Sequence, residues 1–392
     1  LAGIKSRTAL WTASVAILLC VIALASAHWG PPKGPVMSAA VSTSGRYIIT
    51  AHQDHSLILW DLKKKTWDTL STRANIYSAA VVPDRDAILW QDLDNRVVVQ
   101  TVAGDELLRF DHFPTYGHVI SSDLNTYLSA DQQWNVFKGF GDRQKPILKD
   151  GVSPSFAGSG KLLNLAMAKD RPYFITAGFG DDHDPIEDYA PVADGRRFSR
   201  YGGVTLWNTE TGEPVAKLRG NSSKTHAAIS PDGQWVVSGD ENGIGLYWNT
   251  TAPEQRYRLA RYHLGIFVDD TPYEPGDPRN RNKSMLIEAP SGARDNTLAV
   301  AFIDHSQYYL RFGNNSHIAA LFETGSPWPV KYFDLGAAPE LVTYGSQYSR
   351  NTAIATAPEA GILVMGHRSG GGISVYRFNA EALSLERIWV AE

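Results

Sequence analysis

The chain has 392 residues, 43% of them hydrophobic, enough for one large core or two ordinary ones. Its 37 basic and 41 acidic residues leave a formal charge of −4 with no long basic run, so the electrostatic footprint of nucleic-acid binding is absent. A single cysteine, Cys20, excludes an intrachain disulfide, a thiol-ligated metal and covalently attached c-type haem.

The chain opens with Lys5 and Arg7 ahead of residues 8–27, about twenty residues without a charge, long enough to span a bilayer core as a helix. Positive charge before the run and none close behind it orients the N-terminus to the cytoplasm and the rest of the chain outside. Two readings stand. Ala25-Ser26-Ala27 before His28 has the small-x-small form of a signal-peptidase site, which leads to a secreted protein. Against cleavage, the run exceeds a usual signal core and is flanked by Trp11 and Trp29 as interfacial aromatics, so a retained transmembrane anchor over 1–29 is the reading taken. Both readings put the rest of the chain on the periplasmic or extracytoplasmic side. Residues 30–35, with three prolines and two glycines, form a short stiff linker.

From residue 36 onward one unit recurs. Thr43-Ser44-Gly45-Arg46 is a tight turn, Tyr47-Ile48-Ile49-Thr50-Ala51 a β-branched and aromatic strand, His52-Gln53-Asp54-His55 a polar turn, and Ser56 to Asp61 a strand closing on Trp60-Asp61. Ser230-Pro231-Asp232-Gly233, Gln234 to Gly239, Asp240-Glu241-Asn242-Gly243 and Ile244 to Asn249 repeat it part for part. Seven such units are countable: 36–72, 76–110, 116–149, 162–219, 225–261, 296–335 and 352–392, the third polar and degenerate. Several strands are nearly continuous apolar runs, as expected where a sheet is buried on both faces. No amphipathic helix of useful length follows residue 30.

Units of roughly forty residues, with Ser-Pro-Asp-Gly before the second strand and Trp60-Asp61, Trp207-Asn208 or Trp248-Asn249 closing the third, resemble the WD-repeat β-propeller family. The resemblance implies an all-β, seven-bladed β-propeller of four-stranded antiparallel blades over 36–392, preceded by one N-terminal transmembrane helix. A regular Gly-His pair before each first strand is missing, so the family's Asp-His-Ser/Thr-Trp hydrogen-bond network is expected to be incomplete. Each end of the chain supplies its own blade, so the ring is expected to close without strand exchange, by side-chain packing alone.

Specificity belongs to the departures from the repeat. Insert 178–202 separates the second and third strands of blade 4, insert 262–295 links blades 5 and 6, and loop 336–351 links blades 6 and 7. Second-to-third and blade-to-blade connections leave an up-and-down blade on the same rim, so all three gather there, where a rigid scaffold carries binding. In the first insert, Asp181, Asp182, His183 and Asp184, with Glu187 and Asp188 close by, can offer oxygen and nitrogen to a hard cation. The glycine-punctuated calcium loop is missing, so a solvated face or pairing with nearby arginines is the reading preferred. Candidate partner contacts are Arg196, Arg197, Arg200 and Tyr201 from the first insert, and Tyr262, Phe267, Tyr273, Arg279 and Arg281 from the second, which carries more apolar residues than a solvated loop needs.

No His-x-x-x-His pair and no Gly-x-Ser-x-Gly elbow occurs, and Ser369-Gly370-Gly371-Gly372 joins two strands as a hairpin turn rather than a phosphate loop. No catalytic residue and no cofactor is expected. The function that follows is a membrane-tethered interaction scaffold whose partners are other membrane or extracytoplasmic proteins and which binds no nucleic acid. The alternative is a metal-dependent hydrolase, lactonase-like, or a ligand sensor, with its site at the central channel.

Overall fold

The computed structural model describes residues 34–112, 115–131, 136–139, 145–146, 161–179, 203–218, 220–221, 225–240, 243–259, 261–262, 286–287, 290, 297–313, 317–335, 353–367 and 370–391. The apolar run 8–27 lies outside them, and no helix among the described residues is long and apolar enough to cross a membrane.

Seven four-stranded sheets follow one another, each antiparallel with its strands in sequence order. Blade 1 is Val36–Val41, Tyr47–His52, Leu57–Asp61 and Thr66–Ser71; the other six sheets span residues 80–111, 115–146, 161–218, 225–258, 297–334 and 354–391. A single turn of 3-10 helix, Pro358–Ala360, interrupts blade 7 between its first and second strands. The first strands pack against one another in succession all the way round, from blade 1 to blade 7 and back to blade 1. They therefore line the axis, and the partly exposed fourth strands such as Thr66–Ser71 form the outer wall.

The repeat closes into a ring because of what a strand's alternation does here. Successive side chains point to opposite faces of a sheet, and in a propeller each face meets a different neighbour. Ile48, Ile58 and Trp60 of blade 1 cluster with Ile362, Val364 and Val375 of blade 7. Ile49 and Leu57, one residue out of phase, cluster with Ala74 and Ile88 of blade 2. Both phases are buried, so the strand reads as an unbroken apolar run. One such cluster occupies each of the seven seams between blades. Among the described residues, the seam between blades 3 and 4 buries Leu128, Val136, Phe174 and Trp207.

Close approach of the blades requires small residues at one repeated place. The fifth residue of the second strand is Ala51, Ala177, Gly239 and Gly366 in blades 1, 4, 5 and 7. A Cβ on Gly239 would lie 2.7 Å from Thr297 Cβ, and one on Gly366 would lie 2.5 Å from Val36 Cβ; Thr297 and Val36 are the opening residues of the next blade's first strand. Gly45 and Gly233 have a second requirement, being at positive φ (70° and 67°) in the first-to-second turns of blades 1 and 5. There a serine closes the turn, Ser42 Oγ and Ser230 Oγ accepting from the N–H of Tyr47 and Trp235 at 3.0 and 2.9 Å.

At the ring closure no strand is exchanged between blades 1 and 7 among the described residues. Side-chain packing is nevertheless not the whole of it. Val36 N–H donates to the His367 carbonyl at 3.0 Å, a main-chain bond across the seam. Trp60 meets Trp389 edge-on at 5.9 Å, and Lys65 Nζ reaches the Ile388 carbonyl at 3.5 Å.

Candidate functional site

A propeller offers two rims. The turn rim carries the first-to-second and third-to-fourth turns, all short; the loop rim carries the second-to-third turns and the connections between blades. On the turn rim, the first-to-second turns knit neighbouring blades together. Asp84 N–H donates to Thr43 Oγ1 at 2.9 Å, linking blades 2 and 1. Lys169 and Asp170 N–H groups share the Pro231 carbonyl (2.9 and 3.1 Å), linking blades 4 and 5, and His305 N–H donates to the Pro358 carbonyl at 3.1 Å, linking blades 6 and 7. Asp232 N–H bonds Ser306 Oγ at 3.2 Å between blades 5 and 6.

One interaction on this rim is not between neighbours. Lys169 Nζ of blade 4 lies 2.8 Å from Asp84 Oδ1 of blade 2 and 3.4 Å from Glu359 Oε1 of blade 7. No two of these three blades are adjacent, so their turns can meet only over the axis. The lysine therefore reaches across the axis on the turn rim. Its ammonium is stabilised, its pKa raised first by the hydrogen bond to Asp84. The side chains are 31%, 43% and 25% exposed, which keeps the bridge in partly aqueous surroundings. Such pairs contribute about 1 kcal/mol or less. Accordingly, Lys169→Met should lower stability by at most about 1 kcal/mol in urea unfolding, and the loss should shrink further as salt is added. A loss of several kcal/mol, insensitive to salt, would contradict this account of the bridge.

The loop rim is organised by a different chemistry. In blade 1, Trp60 Nε1–H donates to Thr50 Oγ1 at 2.8 Å, and Thr50 Oγ1 lies 2.7 Å from His52 Nε2. His52 Nδ1 lies 3.3 Å from the Gly34 carbonyl. A carbonyl only accepts, so the ring carries its proton on Nδ1 and accepts the threonine hydroxyl at Nε2. All four groups are satisfied with a neutral imidazole, and burial, the dominant cause, pushes its pKa down to about 4. Blade 1 thus builds a Trp-Thr-His chain that ends on the Gly34 carbonyl where the family's network has an aspartate, so the network is incomplete, and its histidine comes from the end of the second strand. His52 is fully buried there rather than part of an exposed polar turn. Blade 4 retains the Trp207 Nε1–H to Thr176 Oγ1 bond at 2.9 Å. Blade 6 substitutes a buried arginine, Arg311, whose Nε donates to Thr297 Oγ1 at 2.9 Å and whose Nη2 donates to the Gly243 carbonyl at 3.2 Å.

The long insertions root on this loop rim. Gly178 pairs with Gly203, so insert 178–202 leaves and returns at the loop-rim end of blade 4. Arg261–Tyr262 and Leu286–Ile287, from the two sides of the second insert, form a short parallel pair. Loop 336–351 leaves after Leu335, whose N–H bonds the His317 carbonyl at 2.9 Å, and returns before Ala353. Tyr262 therefore sits on a strand. Asp181, Asp182, His183, Asp184, Arg196, Arg197, Arg200, Tyr201, Phe267, Tyr273, Arg279 and Arg281 lie outside the described residues. Among the described residues, no three His, Cys, Asp or Glu side chains are grouped to hold a metal ion. The two carboxylates that do meet on the axis, Asp84 and Glu359, are engaged by an ammonium. Asp84, Lys169, Glu359 and His52 escape sequence reasoning; the first three share only their position in first-to-second turns.

Two segments, residues 20–61 and 212–249, match the family described as WD domain, G-beta repeat. No curated protein matches the sequence. Among solved structures, the chain is similar to the β-propeller domain of Cps50 (Swd1) from Myceliophteria thermophila. The identity is 12% and the TM-score 0.56, covering 90% of this chain and 99% of that one. That likeness concerns the fold alone. In all, 1615 chains of solved structures match, so the architecture by itself selects no partner.

Proposed function

Because this chain is a WD-repeat-like seven-bladed β-propeller, we propose that it serves as a non-enzymatic interaction platform, tethered by its N-terminal apolar run on the extracytoplasmic side of a membrane as a subunit of a membrane-protein assembly. WD-type propellers usually bind protein partners. The observation that carries the reading is the rooting of all three long insertions on one rim, over blades 4 to 7, while the opposite rim has short turns tied to one another. A ring held at seven apolar seams is stiff enough to present such loops, and loops on a stiff scaffold are where recognition concentrates. The tether itself is supported by the charge-free length of residues 8–27 and the basic residues before it.

The test is recovery of companions from gently solubilised membranes, followed by their identification. Reversing charge at Arg196, Arg197 and Arg200 together should reduce that recovery on the order of tenfold with the fold intact by circular dichroism, since charged contacts guide partner choice. Unchanged recovery would remove the blade 4 insert from the contact surface.

A further inference from the structure

The chain enters the propeller at a defined place. Gly34 lies beside Asp54 in the second-to-third turn of blade 1, and a Cβ on it would be 3.2 Å from the Asp54 N. Gln53 N–H donates to the Pro35 carbonyl at 2.9 Å, and the Gly34 carbonyl is held by the buried His52. The entry point is therefore pinned on the loop rim, and because it feeds the first strand of blade 1, it lies close to the axis rather than at the outer wall.

We propose that the loop rim is the membrane-facing surface of this protein and that the turn rim, with its Asp84–Lys169–Glu359 bridge, is turned away from the bilayer. The inference rests on the tethered reading above and goes beyond it by fixing which face the membrane sees. The argument is one of lengths. Seven residue steps separate Ala27, the end of the apolar run, from Gly34. Fully extended they span at most about 25 Å, and about 6 Å of that is used in crossing the headgroups. To bring the turn rim against the membrane, the tether would first have to cross from the first strand to the fourth, about 14 Å at ordinary strand spacing. It would then have to descend the height of a six-residue strand, about 20 Å. The route needs about 34 Å and the tether has about 19 Å. The propeller can tilt, but it cannot invert. The roots of the three long insertions, on the same rim, thereby face the bilayer and whatever proteins are embedded beside the anchor. Partners free in the extracytoplasmic space meet the turn rim.

The experiment uses the full chain with Cys20→Ser and one new exposed cysteine, Leu93→Cys in the second-to-third turn of blade 2 or Ala103→Cys in its third-to-fourth turn. Each is labelled with a fluorophore in vesicles whose headgroups carry a short-range quencher. The Leu93 site should be quenched several-fold more than the Ala103 site. Equal or reversed quenching in protein that resists alkaline carbonate extraction would overturn the orientation and leave the tether standing. Release by carbonate would overturn both.

Discussion

Gly366→Val should open the ring at its closing seam, with a loss of about 3 kcal/mol or more and a correspondingly lower Tm. A Cβ at this position would sit 2.5 Å from Val36 Cβ and Cγ1 and 2.9 Å from Ala353 Cβ, so it meets the next blade and the residue that leads into its own first strand together. Neither neighbour can yield cheaply. Val36 is fully buried, and its N–H bonds the His367 carbonyl across the same seam. The remaining valine atoms would have to displace the cluster of Ile362, Val364 and Trp60. A propeller sealed without strand exchange has no outer strand pairing to hold that seam while the core shifts, so the damage should propagate to blade 1. The reading is urea unfolding of wild type, Gly366→Val, Val36→Gly and the double variant. Because the clash is mutual, the double variant should lose less than the sum of the singles. Strict additivity would show that the seam does not depend on this contact.

Acidification should cost the protein about 3 kcal/mol through His52 alone. Its imidazole is neutral in the fold, with a pKa of about 4, against about 6.5 in the unfolded chain. Between these values the unfolded chain binds the extra proton and the native state does not, so stability rises with pH across the window. The contribution is fully present above about 6.5 and is lost as pH falls towards about 4. The chemistry at the ring explains the size. Protonating Nε2 turns the acceptor of the Thr50 hydroxyl into a second donor, in a site closed to water by Trp60 and the Gly34 carbonyl. His118, buried 2.6 Å from the Tyr127 hydroxyl and pushed to about 3 by burial and then by His112, acts in the same direction. Urea midpoints measured from pH 7.5 to 4.5 should fall steeply in wild type. In His52→Asn the starting stability should be lower and the slope shallower. Identical slopes in the two proteins would show that His52 does not titrate between the folded and unfolded states.

Much of the ring was legible because turn chemistry and strand composition are local. Thr43-Ser44-Gly45-Arg46 and Ser230-Pro231-Asp232-Gly233 demand a tight turn wherever they lie, and Trp60 and Trp248 close their strands in phase with the repeat. The unbroken apolar runs pointed to sheets covered on both faces, and the alternation between seams is why. The small fifth residue of the second strand, as in Gly239 and Gly366, was also in plain view, but its meaning requires the neighbouring blade. The polar interior was not legible. His52 reads as a turn residue and nothing local marks Arg311, yet both are buried, because their partners come from the Gly34 entry segment and from the Gly243 turn of another blade.

Residue order and composition by themselves determined the repeat, its number and the place of the long insertions, since each depends on a few neighbouring residues obeying steric and hydrophobic rules. Only the folded ring decided that Asp84, Lys169 and Glu359 meet, and that the chain enters beside the loop rim near the axis. Both follow from bending seven sheets around one line, which brings together turns that lie far apart along the chain and have no local signal of their own.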